Sequence, residues 1–375
     1  MPVTIGVLKE TVPGENRVAV VPEVATRLAA LGARLLLERG AGASARFPDA
    51  LYKDVSFADS ANAVLESADL LFAVQPLDAA VAGRLKSGST LVGFLAAHAQ
   101  PALVRALRDR RVTSFAMELI PRISRAQSMD ALSSQAAVSG YKAVLIGASA
   151  LDKFFPMLTT AAGTIRPATV LVIGAGVAGL QAIATARRLG AVVEAYDVRS
   201  ATREQIKSLG AKFVETGVTA EGAGGYAREL TTEEKAKQQE VLDSRIAAAD
   251  CVISTAGVPG RPAPRIIGRA AVERMKTGAV IVDLLAENGG NCELTRAGET
   301  VDHNGVRIIG PVNLPASVAF HASEMYARNL LNFIKPALAA GVLTIDWNDE
   351  VFAASCVTHD GSIRHEPTKK TVEAA

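Results

Sequence analysis

Three glycines in the middle of the chain have the spacing of a dinucleotide-binding turn. The segment Gly174-Ala-Gly176-Val-Ala-Gly179 follows the apolar run VLVI and precedes the helical stretch VAGLQAIATARRLG. In such a strand–turn–helix, the first glycine permits the tight turn, the second lets the backbone approach a pyrophosphate, and the third lets helix and strand pack closely. The N–H groups at the start of the helix bind phosphate oxygens. The pattern therefore predicts a dinucleotide site.

An acidic residue indicates which dinucleotide binds there. Asp197 ends the next predicted strand, 197 − 174 = 23 residues after Gly174. A carboxylate at this point accepts hydrogen bonds from the ribose hydroxyls of NAD and repels the 2′-phosphate of NADP. We therefore predict NAD as the cofactor, while the nearby Arg199 leaves NADP as the alternative.

Other candidate contacts follow strand ends, where ligands bind in open α/β sheets. The loop around Val258-Pro-Gly260-Arg-Pro262 would either contact the adenine or ribose of the dinucleotide or form a plain turn. Residues 283 and 288–291 would either reach the nicotinamide end of the dinucleotide or have a structural role. The predicted cofactor-binding residues of this part of the chain are Gly174, Ala175, Gly176, Val177, Ala178, Gly179, Asp197, Val198, Arg199, Ala256 and Gly257.

The sequence shows no pattern for acid–base or metal chemistry. The five histidines form no Ser/His/Asp arrangement and no spacing such as HExxH, and the three cysteines are far apart. We therefore expect reduced thiols, no metal site and no disulfide framework. A dehydrogenase that oxidises a C–O or C–N bond needs a base for the proton, and no candidate stands out.

Composition excludes several classes of partner. Hydrophobic residues make up 49% and charged residues 21%, which indicates a globular protein. A net charge of +2 with 5% aromatic residues argues against nucleic-acid binding. The most apolar window, 170–186, is shorter than the roughly 20 residues of a membrane span, and MPVTIGVLKE does not read as a secretory signal. We therefore predict a soluble chain without direct membrane insertion.

Strands alternate with helices in two blocks, which predicts two parallel sheets covered on both faces. The first block has predicted helices 22–31 and 101–110 and predicted strands 4–8, 34–37, 69–74, 89–94 and 112–117. The second has predicted helices 177–189, 202–209, 233–248 and 265–275 and predicted strands 169–173, 192–196, 212–215, 251–255, 279–284 and 306–309. The predicted fold class is α/β, with two doubly wound, Rossmann-like domains joined by long helices.

The domain boundaries follow from the segments between and after these blocks. An apolar stripe from Met129 to Phe155 predicts a linking helix over 129–160. A helix over 322–338 and a hairpin over 352–365 follow the second block, and the last ten residues are polar enough for a solvated tail. We predict a discontinuous first domain, 1–128 plus 330–375, and a dinucleotide-binding domain over 161–325.

Five segments closely resemble the NAD(H)-binding component of proton-translocating nicotinamide nucleotide transhydrogenases, in the form with a separate first α-chain. They are PGENRVAVVPE (13–23), MELIPRISRAQSMDALSSQ (117–135), the stretch 161–199, GGYARE (224–229) and VIVDLLAENGGNCELT (280–295). The resemblance implies direct hydride transfer between NAD(H) on this chain and NADP(H) on a partner subunit, coupled to proton translocation by membrane subunits. It also implies a homodimer, held through its partners at the cytoplasmic face of the inner membrane.

The resemblance also assigns residues to the nicotinamide site. Its most specific motif, RISRAQSMD (122–130), implies catalytic roles for Arg122, Gln127 and Asp130, with Ser133 binding the cofactor. Hydride exchange between two nicotinamides releases no substrate proton, so that orientation and exclusion of water are what the protein must supply. The spacing alone predicts a structural role, in which Ser128 is a helix N-cap and Asp130 lies in the first turn. This role is compatible with binding of the nicotinamide.

Alanine dehydrogenases are a sister family of these transhydrogenase components, with the same architecture. They carry a catalytic lysine and, on the following strand, a histidine. The matching segments of this chain read LLFAVQPL and LVGFLAAH, which place Ala73 and Phe94 at those two positions. His98, four residues after Phe94, is a possible substitute. Arg17 is kept, and the related acidic position is Glu287. An alanine-dehydrogenase-like amino-acid dehydrogenase and a non-catalytic NAD(H)-binding module are therefore the alternatives to a transhydrogenase component.

A glycine-rich stretch separates two strands of the second block. Gly217 to Arg228 contains four glycines, and Tyr226 is its one large amphipathic side chain. The resemblance implies a mobile loop whose tyrosine folds over bound nucleotide; the alternative is a flexible surface insertion.

Overall fold

The computed structural model describes residues 2–218, 230–258, 260 and 262–374. The chain divides into two compact units, residues 1–135 with 315–375, and residues 136–314. The boundaries differ from the predicted ones, because the first unit includes the RISRAQSMD loop and the chain returns to it at residue 315 and not at 330. The returning helix explains the difference: Tyr326 and Ala327, before residue 330, are fully buried in the core of the first unit.

The first stretch of the first unit alternates strands and helices. Its elements are β1 (Thr4–Val7), α1 (Pro22–Ala30), β2 (Arg34–Glu38), β3 (Val55–Ala58), α2 (Ala61–Ser67), β4 (Leu70–Phe72), α3 (Ala79–Ala82), β5 (Thr90–Gly93), α4 (Pro101–Asp109), β6 (Thr113–Ala116) and the first turn of α5 (Ala131–Ala150).

The second unit begins within α5 and contains a hairpin and a second alternating series. Its elements are β7 (Leu158–Thr160), β8 (Gly163–Ile165), β9 (Thr169–Ile173), α6 (Val177–Arg188), β10 (Val192–Tyr196), α7 (Thr202–Ser208), β11 (Lys212–Phe213), α8 (Thr232–Ala248), β12 (Cys251–Ser254), α9 (Arg269–Glu273), β13 (Val280–Asp283), β14 (Thr300–His303) and β15 (Val306–Ile309).

The returning segment completes the first unit. Its elements are α10 (Ala319–Ile334), β16 (Leu338–Ala339), β17 (Val342–Leu343), α11 (Glu350–Ser355), β18 (Cys356–His359), β19 (Ser362–Ile363) and α12 (Glu366–Ala374).

Each unit is built on one large sheet. In the first, the strand order is β19-β18-β6-β5-β4-β1-β2-β3, with β6 to β3 parallel and the β18–β19 hairpin added antiparallel to β6. In the second, the order is β11-β10-β9-β12-β13-β15-β14, parallel except for β14. The predicted class of two doubly wound, mainly parallel α/β sheets is confirmed.

The order of the second sheet reverses at β9. Strand β10 pairs with one side of β9, and β12 pairs with the other. Helical connections leave such a switch point toward opposite faces, which opens a crevice at the carboxyl ends of the strands. The glycine-rich loop directly follows β9, so the fold places it at this crevice.

The hairpin predicted over 352–365 is present as β18 and β19, which are joined at Asp360-Gly361. Its start differs, because residues 352–355 belong to α11, which the Asp349 carboxylate caps by accepting a hydrogen bond from the Val351 N–H. Residues 366–374 form α12, whereas a solvated tail was predicted there. Thr368 and Val372 lie four residues apart on one face of α12, and both are buried.

The linking helix is shorter than predicted. It begins at Ala131 and ends at Ala150. The apolar residues Leu151 and Phe155, which were predicted to continue the helix, lie in irregular backbone, and their side chains are buried in the core of the second unit. Within the described residues, none of the helices is long and apolar enough to cross a membrane.

Candidate functional site

The loop from Gly174 to Gly179 has the backbone geometry of a ligand cradle. Gly174 has a φ of +92°, and a Cβ on Gly179 would lie 1.9 Å from the Gly174 carbonyl oxygen. A Cβ on Gly176, in contrast, would meet no atom within 4 Å. Gly174 and Gly179 are therefore needed to build the turn, while the space beside Gly176 is open to a close-approaching ligand.

The first turn of α6 offers donors for an anion. Gly176 is its N-cap and supplies no side-chain cap, and no acidic side chain lies in the first turn. Val177 is 43% exposed. The first N–H groups of a helix have no partner within the helix, and the helix dipole favours negative charge beside them. The predicted residues of the glycine loop thus form one site whose backbone fits a pyrophosphate.

The Asp197 carboxylate is already engaged within the chain. Its Oδ2 accepts the Ala175 N–H at 2.7 Å, and its Oδ1 accepts the Arg199 N–H at 2.9 Å. The Arg199 guanidinium donates to both oxygens, from Nε to Oδ1 at 2.9 Å and from Nη2 to Oδ2 at 2.8 Å. A carboxylate has about four acceptor positions. Hydrogen bonds from a ribose would therefore have to displace the Arg199 guanidinium. Val198, which lies between the two residues in the chain, is partly buried.

Asn291 supports the loop after β12 instead of facing a ligand. It is fully buried, and its Nδ2 donates to the carbonyl oxygens of Ala256 at 2.7 Å and Pro264 at 2.9 Å. Its Oδ1 accepts from the Ser254 hydroxyl at 2.7 Å. The half-buried Ala256 and the exposed Gly257 are among the described residues of this loop that a ligand can reach, while residues 259 and 261 lie outside the described part of the chain.

Of the two acidic residues at and after the end of β13, one is buried and one is exposed. Asp283 is fully buried, and its Oδ2 accepts from the Cys292 N–H at 2.9 Å and the Thr295 hydroxyl at 2.7 Å. Glu287 is exposed, and its Oε2 accepts from the Asn313 N–H at 3.2 Å. Asp283 is thus a structural residue, while Glu287 remains accessible.

The RISRAQSMD loop lies in the first unit as a 3₁₀ helix, Ser124–Met129, that leads into α5. Asp130 caps α5: its Oδ1 accepts from the Ser133 N–H at 2.8 Å and its Oδ2 from the Ser133 hydroxyl at 2.6 Å. The expected cap at Ser128 is therefore wrong by two residues. Asp130 and Ser133, which the resemblance assigns to the nicotinamide site, are held together by direct hydrogen bonds.

Arg122 and Gln127 lie on the exposed side of the same loop. Arg125 fixes the loop from outside, because its guanidinium forms a bidentate pair with Asp349 at 2.6 and 3.0 Å. The first unit therefore carries the four predicted nicotinamide residues, and the second unit carries the glycine loop with Asp197. Tyr226 lies outside the described residues, as do residues 219–228 of the predicted mobile loop.

Glu15 and Arg17 form a buried ion pair, whereas the sequence analysis identified Arg17 only as a residue that the related families share. Arg17 is 4% exposed, and its Nε and Nη2 donate to the two Glu15 oxygens at 2.8 and 2.6 Å. Its Nη1 donates to Gln135 Oε1 at 2.8 Å, while Gln75 Nε2 donates to Glu15 at 2.7 Å. The only signal in the sequence is a pair of opposite charges beside the apolar run VAVV.

Glu10 lies beside this pair, and the positive charge of Arg17 lowers its pKa less than burial raises it. Burial is the main cause that raises its pKa to about 7, and the negative charge of Glu15 adds to it. The N–H groups of Val74 and Gln75 donate to the carboxyl group, which lowers the pKa but does not offset burial. Burial also raises the pKa of Glu118, whose carboxyl group accepts the N–H groups after β5.

Glu10→Gln should stabilise the protein in mildly basic solution. The pKa of Glu10 rises from 4.5 to about 7 on folding, so that the folded state loses stability as the pH rises through this window. One pKa unit corresponds to about 1.4 kcal/mol, and we expect a gain on the order of 2 kcal/mol at about pH 8. Urea unfolding should show the gain there and little difference near pH 4.5; an equal gain at both pH values would contradict the assignment.

The positions that separate the two related families are apolar here. Ala73 is buried, and its carbonyl oxygen accepts from the Tyr326 hydroxyl at 2.8 Å. The Phe94 ring packs at 5.3 Å from the Tyr326 ring. His98 is exposed. Across the described residues, no group of three or more His, Cys, Asp or Glu side chains could hold a metal ion.

Comparison with known families covers nearly the whole chain. The family "Alanine dehydrogenase/PNT, N-terminal domain" matches residues 6–139, and "Alanine dehydrogenase/PNT, C-terminal domain" matches residues 143–366. The chain belongs to the alanine dehydrogenase/PNT family. The first matched region covers the first predicted block, and the second covers the second block together with most of the segment that returns to the first unit.

Individual members of this family show which branch the chain resembles more. It is 47% identical over 374 residues to a chain of Rhodospirillum rubrum named as the first portion of NAD(P) transhydrogenase subunit alpha, covering 96% of this chain and 97% of the relative. It is 29% identical to the alanine dehydrogenase of Mycobacterium tuberculosis, covering 96% and 95%. The crystal structure of a transhydrogenase from Sinorhizobium meliloti superposes with a TM-score of 0.88 at 42% identity, covering 96% and 99%. The resemblance to transhydrogenase α-chains and the Rossmann-like fold are confirmed, and they support an oxidoreductase component.

Proposed function

We propose that this chain is the NAD(H)-binding subunit of a proton-translocating transhydrogenase. The observation that carries the proposal is the apolar pair Ala73 and Phe94, packed against Tyr326 in a chain that retains the glycine loop. A dehydrogenase acting on an amino acid needs a group for proton transfer at its substrate, whereas hydride exchange between nicotinamides does not. The 47% identity to a transhydrogenase subunit supports the same choice.

Residues of the second unit bind the adenosine and pyrophosphate ends of NADH in this proposal. The N–H groups from Ala175 to Gly179 hold the pyrophosphate, and Asp197 holds the ribose once Arg199 moves aside. Val198, Ala256 and Gly257 line the adenosine, and Glu287 contributes a carboxylate at the nicotinamide side. Tyr226 covers the bound nucleotide.

Residues of the first unit orient the nicotinamide. Arg122 and Gln127 donate to the carboxamide or a phosphate, and Asp130 with Ser133 holds the carboxamide NH₂. NADH supplies the hydride, so these side chains only position the ring and exclude water. No residue of this chain has to remove a proton from substrate.

The remaining steps belong to other subunits. NADP(H) binds to a partner subunit that faces the nicotinamide site, and membrane subunits carry the proton. This chain attaches to the cytoplasmic face of the membrane through those partners. The name of the Rhodospirillum rubrum relative, which describes one portion of a subunit alpha, supports such a division among chains.

Reconstitution tests the function directly. The purified chain, mixed with the NADP(H)-binding subunit of the same organism, should transfer hydride from NADH to an NADP analogue and should bind NADH more tightly than NADPH. Binding of NADH without any transfer would favour the non-catalytic module. Turnover with pyruvate and ammonia would favour an amino-acid dehydrogenase.

We further propose a homodimer built on the β7–β8 hairpin. All six hairpin strand residues are exposed, and Phe154, Met157, Leu158 and Ile165 are 52%, 64%, 37% and 49% exposed. Among the described strands, β7 and β8 pair only with each other. Two-stranded hairpins are marginal in water, and clustered apolar side chains mark protein interfaces. A second copy of the chain would bury them.

Leu158→Asp should convert the dimer to a monomer. Charge at a buried apolar contact costs several kcal/mol and so prevents association at micromolar concentration. Sedimentation velocity should show the wild type as a dimer and the variant as a monomer. Val342→Asp, at an exposed residue of the β16–β17 hairpin of the first unit, is the matched control and should stay dimeric. A monomeric wild type would refute the proposal.

A further inference from the structure

One buried amide joins the end of the RISRAQSMD loop to the first turn of α5. Asn329, on α10, is 7% exposed. Its Nδ2 donates to the Ser128 carbonyl oxygen at 2.9 Å, and its Oδ1 accepts from the Ser134 hydroxyl at 2.6 Å. Ser128 and Ser134 flank Asp130 and Ser133 in the chain. A single side chain thus holds both ends of the segment that carries these two residues.

The chemistry of this contact requires an amide. One end of the Asn329 side chain must donate and the other must accept, which a carboxamide does and a carboxylate does not. Asn332, one turn further along α10, also donates to the Ser128 carbonyl oxygen, at 3.2 Å, but it is partly exposed, and this contact reaches only the loop end of the segment. Asn329 is therefore the residue that couples loop and helix.

The helix behind Asn329 is fixed in the core. Leu330, Leu331 and Phe333 of α10 are at most 1% exposed. Gln135 Nε2 donates to the Ala322 carbonyl oxygen at 3.1 Å, which ties the next turn of α5 to the same helix. Because α10 cannot shift without disturbing the core, the Asn329 amide sets the position of the loop relative to the sheet.

We propose that Asn329 is a positioning residue for hydride transfer: it holds the segment from Ser128 to Ser134 so that Asp130 and Ser133 orient the nicotinamide. The proposal rests on the proposed function. Asn329 itself touches neither nucleotide. A displacement of about 1 Å at reacting groups can cost about a hundredfold in rate, so that a residue one contact removed from the nicotinamide can control the transfer step.

Asn329→Asp tests this role with an isosteric side chain. The carboxylate still accepts from Ser134 but cannot donate to the Ser128 carbonyl oxygen, and it repels that oxygen. We expect single-turnover hydride transfer in the reconstituted complex to slow roughly tenfold to a hundredfold. The affinity for NADH should stay within about threefold, because the adenosine and pyrophosphate ends bind to the second unit. The primary isotope effect with NADH deuterated at C4 should increase as transfer becomes more rate-limiting.

Two further variants keep the test decisive. Asn332→Asp places the same charge near the same carbonyl oxygen and should transfer hydride within about twofold of wild type. Ser134→Ala removes one Asn329 contact without adding charge, and it should slow transfer by roughly threefold even if Asn329→Asp does not fold.

The outcomes separate the inference from the function. If the wild type transfers hydride and Asn329→Asp matches it, or if Asn329→Asp loses transfer, NADH affinity and thermal stability in parallel, the positioning role is wrong. If the wild type binds NADH but transfers no hydride, the proposed function fails and the positioning role fails with it. Slow transfer with retained affinity and a larger isotope effect supports both.

Discussion

Gly179→Ala should weaken NADH binding strongly and destabilise the second unit. The added Cβ would lie 1.9 Å from the Gly174 carbonyl oxygen and 3.0 Å from the Thr255 hydroxyl, and the nearer atom belongs to backbone that cannot move aside cheaply. We expect a loss of about 3 kcal/mol in the free energy of unfolding and at least about a hundredfold weaker NADH binding, because α6 must shift away from the turn. Calorimetry and fluorescence titration measure the two effects.

Gly176→Ala is the matched control for that variant. Its Cβ would meet no atom within 4 Å, and its φ of −77° suits any residue. Stability should therefore change by less than about 1 kcal/mol, while the methyl group weakens NADH binding by roughly tenfold or more, since it occupies the space of the pyrophosphate. Binding of NADH at wild-type strength by Gly176→Ala would mean that the pyrophosphate lies elsewhere.

Glu15→Gln should cost the first unit about 3 kcal/mol near neutral pH. The variant keeps the shape of Glu15 but removes the carboxylate that pairs with the buried Arg17, and broken buried ion pairs cost about 3–5 kcal/mol. Burial alone would raise the pKa of Glu15, but the hydrogen bonds and charge of Arg17 hold it at about 2. The ionised pair therefore stabilises the fold above about pH 4.5, and the contribution falls as the pH falls toward 2.

Guanidinium unfolding at about pH 7 and again near pH 3 measures this dependence. The difference between wild type and Glu15→Gln should shrink at the lower pH. Glu23→Gln breaks an exposed pair with Arg328, whose side chains are about half exposed, and should cost less than about 1 kcal/mol. A Glu15→Gln variant as stable as Glu23→Gln would show that the buried pair is dispensable.

Buried elements of the fold were the most predictable from sequence. The bounds of β9, β10 and β15 match the prediction residue for residue, because short runs of β-branched residues bounded by polar ones are typical of strands inside a parallel sheet. Strands β3 and β14 were missed. Each has exposed or half-exposed residues over most of its length, so neither gives a continuous apolar run.

The candidate site was predictable only where a motif is local. The glycine loop depends on residues within one turn, and its strand and helix adjoin it in the chain. The contacts of Asn329 with Ser128 span 201 residues, and those of Arg17 with Gln135 span 118. No pattern in one sequence reports such pairs. The sequence predicts that the chain returns to the first domain, but not that α10 belongs to the returning part or that Asn329 contacts the loop, because these contacts depend on tertiary packing.

The Asp197–Arg199 pair has a consequence for how cofactor choice could change during evolution. The same carboxylate that would repel a 2′-phosphate also holds the guanidinium that could attract one. A single substitution at position 197 would therefore remove the carboxylate that repels a 2′-phosphate and, at the same time, free the Arg199 guanidinium to bind one. If Asp197 selects NAD as proposed, one charge pair would set the specificity, and a lineage would need few substitutions to change its nucleotide.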